Sequence, residues 1–218
     1  VYKRQVIDAV QVLGKKPISI AEMDADFLIV SSHKIGGPKG VGAIISKGEI
    51  LMPSPLIVGG GHEKGHRAGT ENLIGISGFG AACEVAFKNL HVFQDIGNKR
   101  DQLEQKMQNL ASDLVIHGKG VERIDNTTCF TLPGMKSETM QIAFDMEGIA
   151  ASSGSACSSG KVSESHVLVA MNADAHSGAL RVSMGPETSD KDVERFLQVF
   201  EKMNERRLSR QSETLASV

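Results

Sequence analysis

Lys34 is the residue of this chain whose type and surroundings most clearly suggest chemistry. It follows an apolar run at 27–30 that is typical of a buried strand, and it precedes a Gly-Pro cluster that is typical of a tight turn. A lysine at the mouth of a buried strand is costly unless it has a charged partner or a covalent role. Lysine amines form Schiff bases with carbonyl compounds, including pyridoxal phosphate (PLP). Ser31 and His33 can donate hydrogen bonds to a phosphate. The simpler interpretation of Lys34 is an ordinary surface lysine after a strand.

Asp8 and Gln11 form a second candidate pair, upstream of Lys34. A carboxylate that pairs with the pyridinium nitrogen of PLP keeps the ring protonated and makes it an electron sink. A glutamine beside it can donate a hydrogen bond to the ring oxygen. An Asp/Gln pair is also common in ordinary turns at strand ends, so it indicates a cofactor only together with Lys34.

Cys157 and Arg181 supply two further groups in the second half of the chain. Cys157 lies in a Ser/Gly-rich stretch at 151–160, and an accessible thiolate is a nucleophile. Arg181 lies in a predicted strand, and a guanidinium binds a carboxylate through two parallel hydrogen bonds, as an amino-acid substrate requires. A linker with an incidental thiol and a surface ion pair are the alternative interpretations. The other two cysteines, Cys83 and Cys129, are more typical of small buried apolar residues.

A metal site is not predicted. His62 and His66 have a spacing that occurs in zinc sites, and Glu63 lies between them. They fall in a glycine-rich loop rather than on a helix, and no third ligand is close in sequence.

The elements that must position these residues alternate between strands and helices, which indicates an α/β sheet. Helical spacing of apolar residues extends over 73–112, with a break expected around 91–97. We place a domain boundary there, giving domains at 1–92 and 93–218, of which the second is an α+β module. Strands are predicted at 27–30, 40–46, 124–132, 149–152 and 180–184.

Two helices are predicted in the second domain. One covers 137–147, with Ser137 as its N-cap. The other follows the N-cap Ser189 and has a frayed, polar tail from Ser209. Its apolar stripe consists of Val193, Phe196, Leu197, Phe200 and Met203.

The composition argues against several classes of function. A net charge of −2 and an aromatic content of 4%, with no Trp, disfavour nucleic-acid and membrane-surface binding. No run of about 18 apolar residues predicts a transmembrane helix. Three cysteines without a disulfide framework favour free thiols and a cytoplasmic protein.

Several short segments occur in an order and at a spacing that together are specific. They are 8–11, 31–34, 37–40, 59–63, 67–70, 152–158 and 180–183. From about residue 6 to residue 205 the chain resembles the cysteine desulfurases of the NifS type, within the PLP-dependent class V aminotransferase superfamily. The resemblance implies the C-terminal part of the PLP-dependent transferase (aspartate aminotransferase-like) fold, with a mixed sheet in the large domain and a small α+β C-terminal domain.

The resemblance also implies a role for each cofactor-binding position. Lys34 would carry PLP covalently and move the α-proton of the substrate. Asp8 would pair with the pyridine nitrogen and Gln11 with the ring oxygen. Ser31 and His33 would bind the phosphate.

Three more roles follow from the same resemblance. Thr70 would reach the phosphate of the other subunit's cofactor, so a homodimer is implied. Arg181 would hold the carboxylate of L-cysteine. Cys157 would attack the substrate sulfur, leaving a persulfide and releasing L-alanine. The sulfur would pass to an iron–sulfur scaffold protein or a thiolation partner.

Two other interpretations remain open. One is a selenocysteine lyase or another class V PLP enzyme that acts on small amino acids. The other, from a different class, is a non-catalytic dimerisation or sulfur-acceptor module. The family's large domain begins well before its Asp-x-x-Gln segment, whereas seven residues precede Asp8 here. We therefore expect this chain alone to bind PLP weakly and to be inactive.

Overall fold

A computed structural model of the chain describes residues 3–48, 52–154, 165–174 and 176–216. The chain divides into two compact units, Val1–Val92 and Phe93–Val218. Within the described ranges, no helix combines the length and the apolar character that crossing a bilayer requires.

The first unit contains a mixed three-stranded sheet in the order β1-β2-β3. Its strands are β1 (Val6–Asp8), β2 (Phe27–Ser31) and β3 (Gly42–Ser46), of which β2 and β3 confirm the predicted strands. β1 runs parallel to β2, with Asp8 beside Ile29, and β3 runs antiparallel to β2. Because parallel strands end at the same edge of a sheet, Asp8 lies at the edge from which the chain leaves β2.

One face of this sheet is covered and the other is open. Leu28 and Val30 are buried in a cluster that includes Phe79 of helix α1 (Leu73–Lys88). Val6, Ile29 and Ile44 alternate with these positions and are exposed. Apolar residues on both faces are typical of a sheet that is covered on both sides.

The predicted break in the long helical region lies elsewhere than expected. α1 ends at Lys88, and α2 (Leu90–Leu110) begins two residues later, so the break falls at Asn89 rather than within 91–97. Gly97 is a buried residue inside α2, and a Cβ added there would meet Asp125 Cβ at 3.2 Å. Gly97 therefore allows a close approach of the chain and does not interrupt the helix.

The second unit packs helices against an antiparallel four-stranded sheet, in the order β4-β5-β7-β6. Phe130 of this sheet meets Phe200 edge to face, with ring centroids 5.9 Å apart. Phe144 stacks on Phe196 at 4.5 Å. The elements of the unit besides α2 are β4 (Val115–Ile116), β5 (Thr127–Thr131), α3 (Ser137–Met146), β6 (Ser152–Ser153), α4 (His166–Ala170), β7 (Leu180–Ser183) and α5 (Asp190–Ala216).

α3 begins at Ser137, as predicted, but the predicted N-cap was wrong. Lys136 occupies the N-cap position and makes no side-chain cap hydrogen bond. Ser137 is instead buried as the first helical residue, and its backbone N–H donates to the carbonyl oxygen of Ser177 at 2.8 Å. A long-range backbone contact thus replaces the local cap that the sequence suggested.

The helix after Ser189 begins as predicted, because the backbone N–H of Asp192 donates to Ser189 Oγ at 3.3 Å. Its end was predicted wrongly, since α5 continues through Ser209 to Ala216. The strand predicted at 149–152 was also largely wrong, because β6 comprises only Ser152–Ser153.

Candidate active site

Lys34 lies on a short 3-10 helix, Ser32–Ile35, directly after β2. Gly36 ends this helix at φ 83°, a left-handed conformation that glycine adopts without strain. Lys34 is exposed, so the desolvation cost expected at a strand mouth is absent. Among the residues that the structure describes, Lys34 has no hydrogen-bond or ion-pair partner. Its amine is therefore free for a covalent bond.

Ser31 and His33 lie together at the same end of β2. Ser31 Oγ and His33 Nδ1 are 2.9 Å apart, within hydrogen-bond distance. Ser32 between them is fully buried, and its Oγ has no hydrogen-bond partner in the described part of the chain. Only the outer two side chains of this triplet are therefore available to bind phosphate oxygens.

Asp8 ends β1 at the same edge of the sheet. Its Oδ1 accepts a hydrogen bond from the backbone N–H of Val10 at 2.9 Å, which fixes the carboxylate at the start of the following turn. No lysine, arginine or histidine pairs with Asp8 within the described ranges. The carboxylate is thus free to pair with a protonated ring nitrogen.

Gln11 lies on the turn after β1, where the backbone N–H groups of Val12 and Leu13 donate to the carbonyl oxygen of Ala9. Lys15 Nζ donates to the backbone oxygen of Gln11 at 2.9 Å and to its Oε1 at 3.2 Å. Burial lowers the pKa of Lys15, and the positive charge of Lys34 lowers it further. Sequence reasoning missed Lys15, although its spacing of four residues from Gln11 is a signal of such contacts.

Thr70 is exposed at the end of the glycine-rich loop, and two side chains organise the backbone around it. Arg67 Nη1 donates to the carbonyl oxygens of Gly69 at 2.6 Å and of Thr70 at 3.2 Å. His62 Nδ1 lies 2.8 Å from Glu71 Oε1. A hydrogen bond to its own backbone, and then the one to His62, lower the pKa of Glu71.

The histidines of this loop do not assemble a metal site in the described residues. No group of three or more residues with metal-binding side chains occurs there. His62 is one of the two histidines with the spacing of a zinc site. Its Nδ1 contacts the carboxylate of Glu71 and not that of Glu63.

Arg181 of the second unit lies on the central strand β7. It is flanked by Cys129 of β5 on one side and by Ser152 of β6 on the other. Its half-buried guanidinium has no acidic partner in the part of the chain that the structure describes. An arginine in this state can accept a carboxylate from a ligand in bidentate geometry.

Cys83 and Cys129 are half-buried, so they are less buried than the small buried apolar residues that the sequence suggested. Burial raises the pKa of both thiols, and the charge of Arg181 partly opposes this for Cys129. A raised thiol pKa leaves little thiolate at neutral pH, so neither residue is suited as the nucleophile.

Cys157 lies outside the described residues. The last strand before it is β6, whose Ser153 donates through its backbone N–H to Gln141 Oε1 at 3.3 Å. The hydroxyl of Ser153 donates to the same oxygen.

The side chains of the first unit fit PLP by their chemistry. The unit offers a free amine for the aldehyde, an unpaired carboxylate for the ring nitrogen, and a hydroxyl–imidazole pair for the phosphate. These groups come from Lys34, Asp8, Ser31 and His33, at the edge where β1 and β2 end. Gln11 adds an amide on the turn after β1. When bound, PLP supplies an electron sink for bond cleavage at the substrate carbons.

Comparison with known families gives one match that covers most of the chain. A family model described as Aminotransferase class-V matches residues 4–196.

The chain is also similar to curated proteins. A cysteine desulfurase of Klebsiella pneumoniae is 40% identical over 190 residues, which are 86% of this chain and 47% of that protein. The cysteine desulfurase IscS of Dictyoglomus turgidum is 38% identical over 204 residues, which are 91% and 51% of the two chains. This chain therefore spans about half the length of the curated relatives it matches.

A solved structure shares the fold. The X-ray structure of a NifS-like protein from Rickettsia africae superposes with a TM-score of 0.79 at 33% identity, covering 93% of this chain and 54% of that one. These findings confirm the fold class and the family resemblance that the motifs predicted.

Proposed function

This chain belongs to the class-V aminotransferase family, and on that premise we propose that it forms part of a PLP-dependent cysteine desulfurase. The reaction removes sulfur from L-cysteine, releases L-alanine and leaves a persulfide on the enzyme. One observation carries the proposal. Lys34 is exposed, has no acidic partner among the described residues and directly follows β2. Asp8 ends β1, the strand that runs parallel to β2.

The residues of the first unit bind and orient the cofactor. Lys34 Nζ would hold PLP and move the α-proton of the substrate. Asp8 keeps the ring nitrogen protonated, and Gln11 donates to the ring oxygen. Ser31 and His33 bind the phosphate. In this proposal, the first unit is part of the large PLP-binding domain.

The second unit binds the substrate and receives the sulfur. Arg181 holds the substrate carboxylate in bidentate geometry. A bond forms between Cys157 Sγ and the sulfur of L-cysteine while the carbon–sulfur bond of the substrate breaks, and the carbon is then protonated to give alanine. The outer sulfur of this persulfide passes to an iron–sulfur scaffold protein or a thiolation partner in the cytoplasm, and the Cys157 thiol is regenerated.

Thr70 contributes from one subunit to the phosphate site of the other, so the active form is a homodimer. Two observations support this: Thr70 is exposed, and Arg67 donates hydrogen bonds to the carbonyl oxygens of Gly69 and Thr70. A hydroxyl presented on an ordered, exposed backbone is suited to an anion from outside its own unit.

The test begins with the lysine. The chain is co-produced with the part of the Klebsiella pneumoniae relative that it does not match, incubated with PLP and reduced with borohydride. Peptide mapping is expected to find the adduct on Lys34 and to find none in Lys34→Ala. Lys39→Ala, which changes another exposed lysine of the same turn, is the matched control and retains the adduct. Equal labelling of many lysines in all three proteins contradicts the proposal.

The nucleophile is tested separately in the same assembly. Cys157→Ser is expected to retain the Lys34 adduct and to lose persulfide formation. Turnover that persists in Cys157→Ser favours a selenocysteine lyase or another class V enzyme. A complete assembly without any lysine adduct favours a non-catalytic module.

A further inference from the structure

Lys15 is a candidate for a role that the family resemblance does not assign. It is half-buried beside the cofactor-binding candidates. In the described part of the chain its ammonium makes two hydrogen bonds, both to Gln11: 2.9 Å to the backbone oxygen and 3.2 Å to Oε1. Lys15 thus binds both the backbone and the side chain of the residue that faces the PLP ring oxygen in the proposed function.

The local backbone brings this lysine close to Lys34. Gly14 has φ +74°, and a Cβ added there would meet Ile35 Cγ2 at 2.9 Å. Ile35 is the last residue of the 3-10 helix that carries Lys34. The turn with Gln11 and Lys15 therefore packs directly against the helix with the reactive amine, and only glycine permits this approach.

The polarity of the contact determines how Gln11 is presented. An ammonium group has only donors, whereas an amide side chain has an acceptor end and a donor end. Lys15 occupies the acceptor end, Oε1, and leaves the two N–H groups of Nε2 for another partner. The ring oxygen of PLP, when ionised, is an acceptor and requires a donor of this kind.

We propose that Lys15 is a positioning residue for the PLP ring, which holds Gln11 Oε1 so that Gln11 Nε2 donates to the ring oxygen. This role rests on the proposed function. Without Lys15 the exposed amide rotates freely and presents either end to the ring. With Lys15 in place, only the donor end faces outward, and the positive charge behind it favours the ionised ring oxygen.

The first test needs no cofactor. The side-chain amide resonances of Gln11 are followed by NMR in the 218-residue chain. Lys15→Met keeps the aliphatic stem and removes the donors, and it is expected to move these resonances to the values of a free glutamine. Lys15→Arg restores donors and is expected to recover the ordered signal. Lys16→Met, in the neighbouring residue, leaves it unchanged. An unchanged Gln11 amide in Lys15→Met overturns the proposal.

The second test measures the cofactor in the assembly completed with the unmatched part of the relative. Lys15→Met is expected to weaken PLP binding about twofold to tenfold, the range of one hydrogen bond. It also changes the balance of the absorption bands that report the protonation state of the ring oxygen. In a Gln11→Met background, Lys15→Met is expected to have no further effect, because it acts through Gln11.

The outcomes separate this role from the proposed function. Wild-type protein that binds PLP at Lys34, with additive effects of the two substitutions, overturns the role of Lys15 alone. Wild-type protein without PLP binding at Lys34 overturns the proposed function and this role together.

Discussion

Two candidate site residues of the first unit and a buried ion pair of the second unit differ in how their charges are satisfied. In the first unit, Asp8 and Lys34 are exposed and have no opposite charge beside them among the described residues. In the second unit, Glu104 is 1% exposed, and both of its oxygens accept hydrogen bonds from Arg123, at 2.7 and 2.6 Å. A buried charge is tolerable only when it is paired, whereas an exposed charge needs no partner from the protein. The unpaired charges are therefore the ones available to a ligand.

Arg207 gives a second example from the second unit. It is 4% exposed and donates to Asp113 through two nitrogens, at 2.6 and 2.8 Å. It also donates to the carbonyl oxygen of Pro133 at 2.8 Å, and so ties α5 to the loop that follows β5. These contacts stabilise the fold. Both N–H groups of Arg207 Nη1 are used in them, so neither is available to a substrate. By contrast, Arg181 of the same unit has no acidic partner among the described residues.

The largest effect on stability is expected when a buried charge is removed. Glu104→Gln removes the carboxylate nearest to Arg123 and leaves this arginine only the more distant carboxylate of Asp101, at 3.9 Å. We expect it to lower the free energy of unfolding by about 3 kcal/mol. Urea denaturation followed by circular dichroism measures the change. Lys47→Met is the control, because it removes one partner of an exposed ion pair with Asp24 and is expected to cost less than about 1 kcal/mol. Equal losses in both variants would refute the distinction between buried and exposed ion pairs.

The pH dependence of stability gives a second test of how much a paired charge of the second unit contributes. The hydrogen bonds from Arg207 lower the pKa of Asp113 in the folded state. A carboxyl group whose pKa is lowered by folding stabilises the protein above its unfolded pKa, and this contribution is lost as the pH falls through the folded value. Asp113→Asn is therefore expected to be less stable than wild type at pH 7, by at most about 1 kcal/mol because the carboxylate is half-exposed, and equally stable below the folded pKa. A difference that persists at the lowest pH contradicts this account.

The smallest effects are expected from substitutions of two adjacent serines, Ser31 and Ser32. Ser32 Oγ is buried without a partner in the described residues, so Ser32→Ala is expected to keep or raise the stability, by up to about 1 kcal/mol. Ser31→Ala removes the hydroxyl beside His33, and we expect it to weaken PLP binding about tenfold in the completed assembly. Thermal unfolding and PLP titration of both variants measure the two effects. If Ser32→Ala binds PLP more weakly than Ser31→Ala, the phosphate-binding hydroxyl belongs to Ser32, and its assignment to Ser31 is wrong.

Part of the fold follows from local patterns. The apolar run of β2, the spacing of the stripe on α5 and the cap at Ser189 are set by neighbours in sequence, and each was predicted correctly. The strands β1 and β4 were not predicted, because three and two residues are too few to show a period. They become strands only through pairing with a longer neighbour.

The candidate site was predictable to a similar extent. Its motif residues could be named because residue type and order carry the family resemblance, which the comparisons confirmed. The contact between Lys15 and Gln11 had only a weak local signal. The long-range pairs had none: Glu104 and Arg123 are separated by 19 residues, and Arg207 and Asp113 by 94.

The sequence by itself determined which groups of this protein can react and which segments form its longer strands and helices, because those properties depend on residue type and on short periodic patterns. Only the tertiary structure decided which charges are paired and which are free, and whether a glycine ends a helix or admits a neighbour. Gly97 shows the reason: its approach to Asp125 depends on a fold that brings distant parts of the chain together, and no local pattern records that distance.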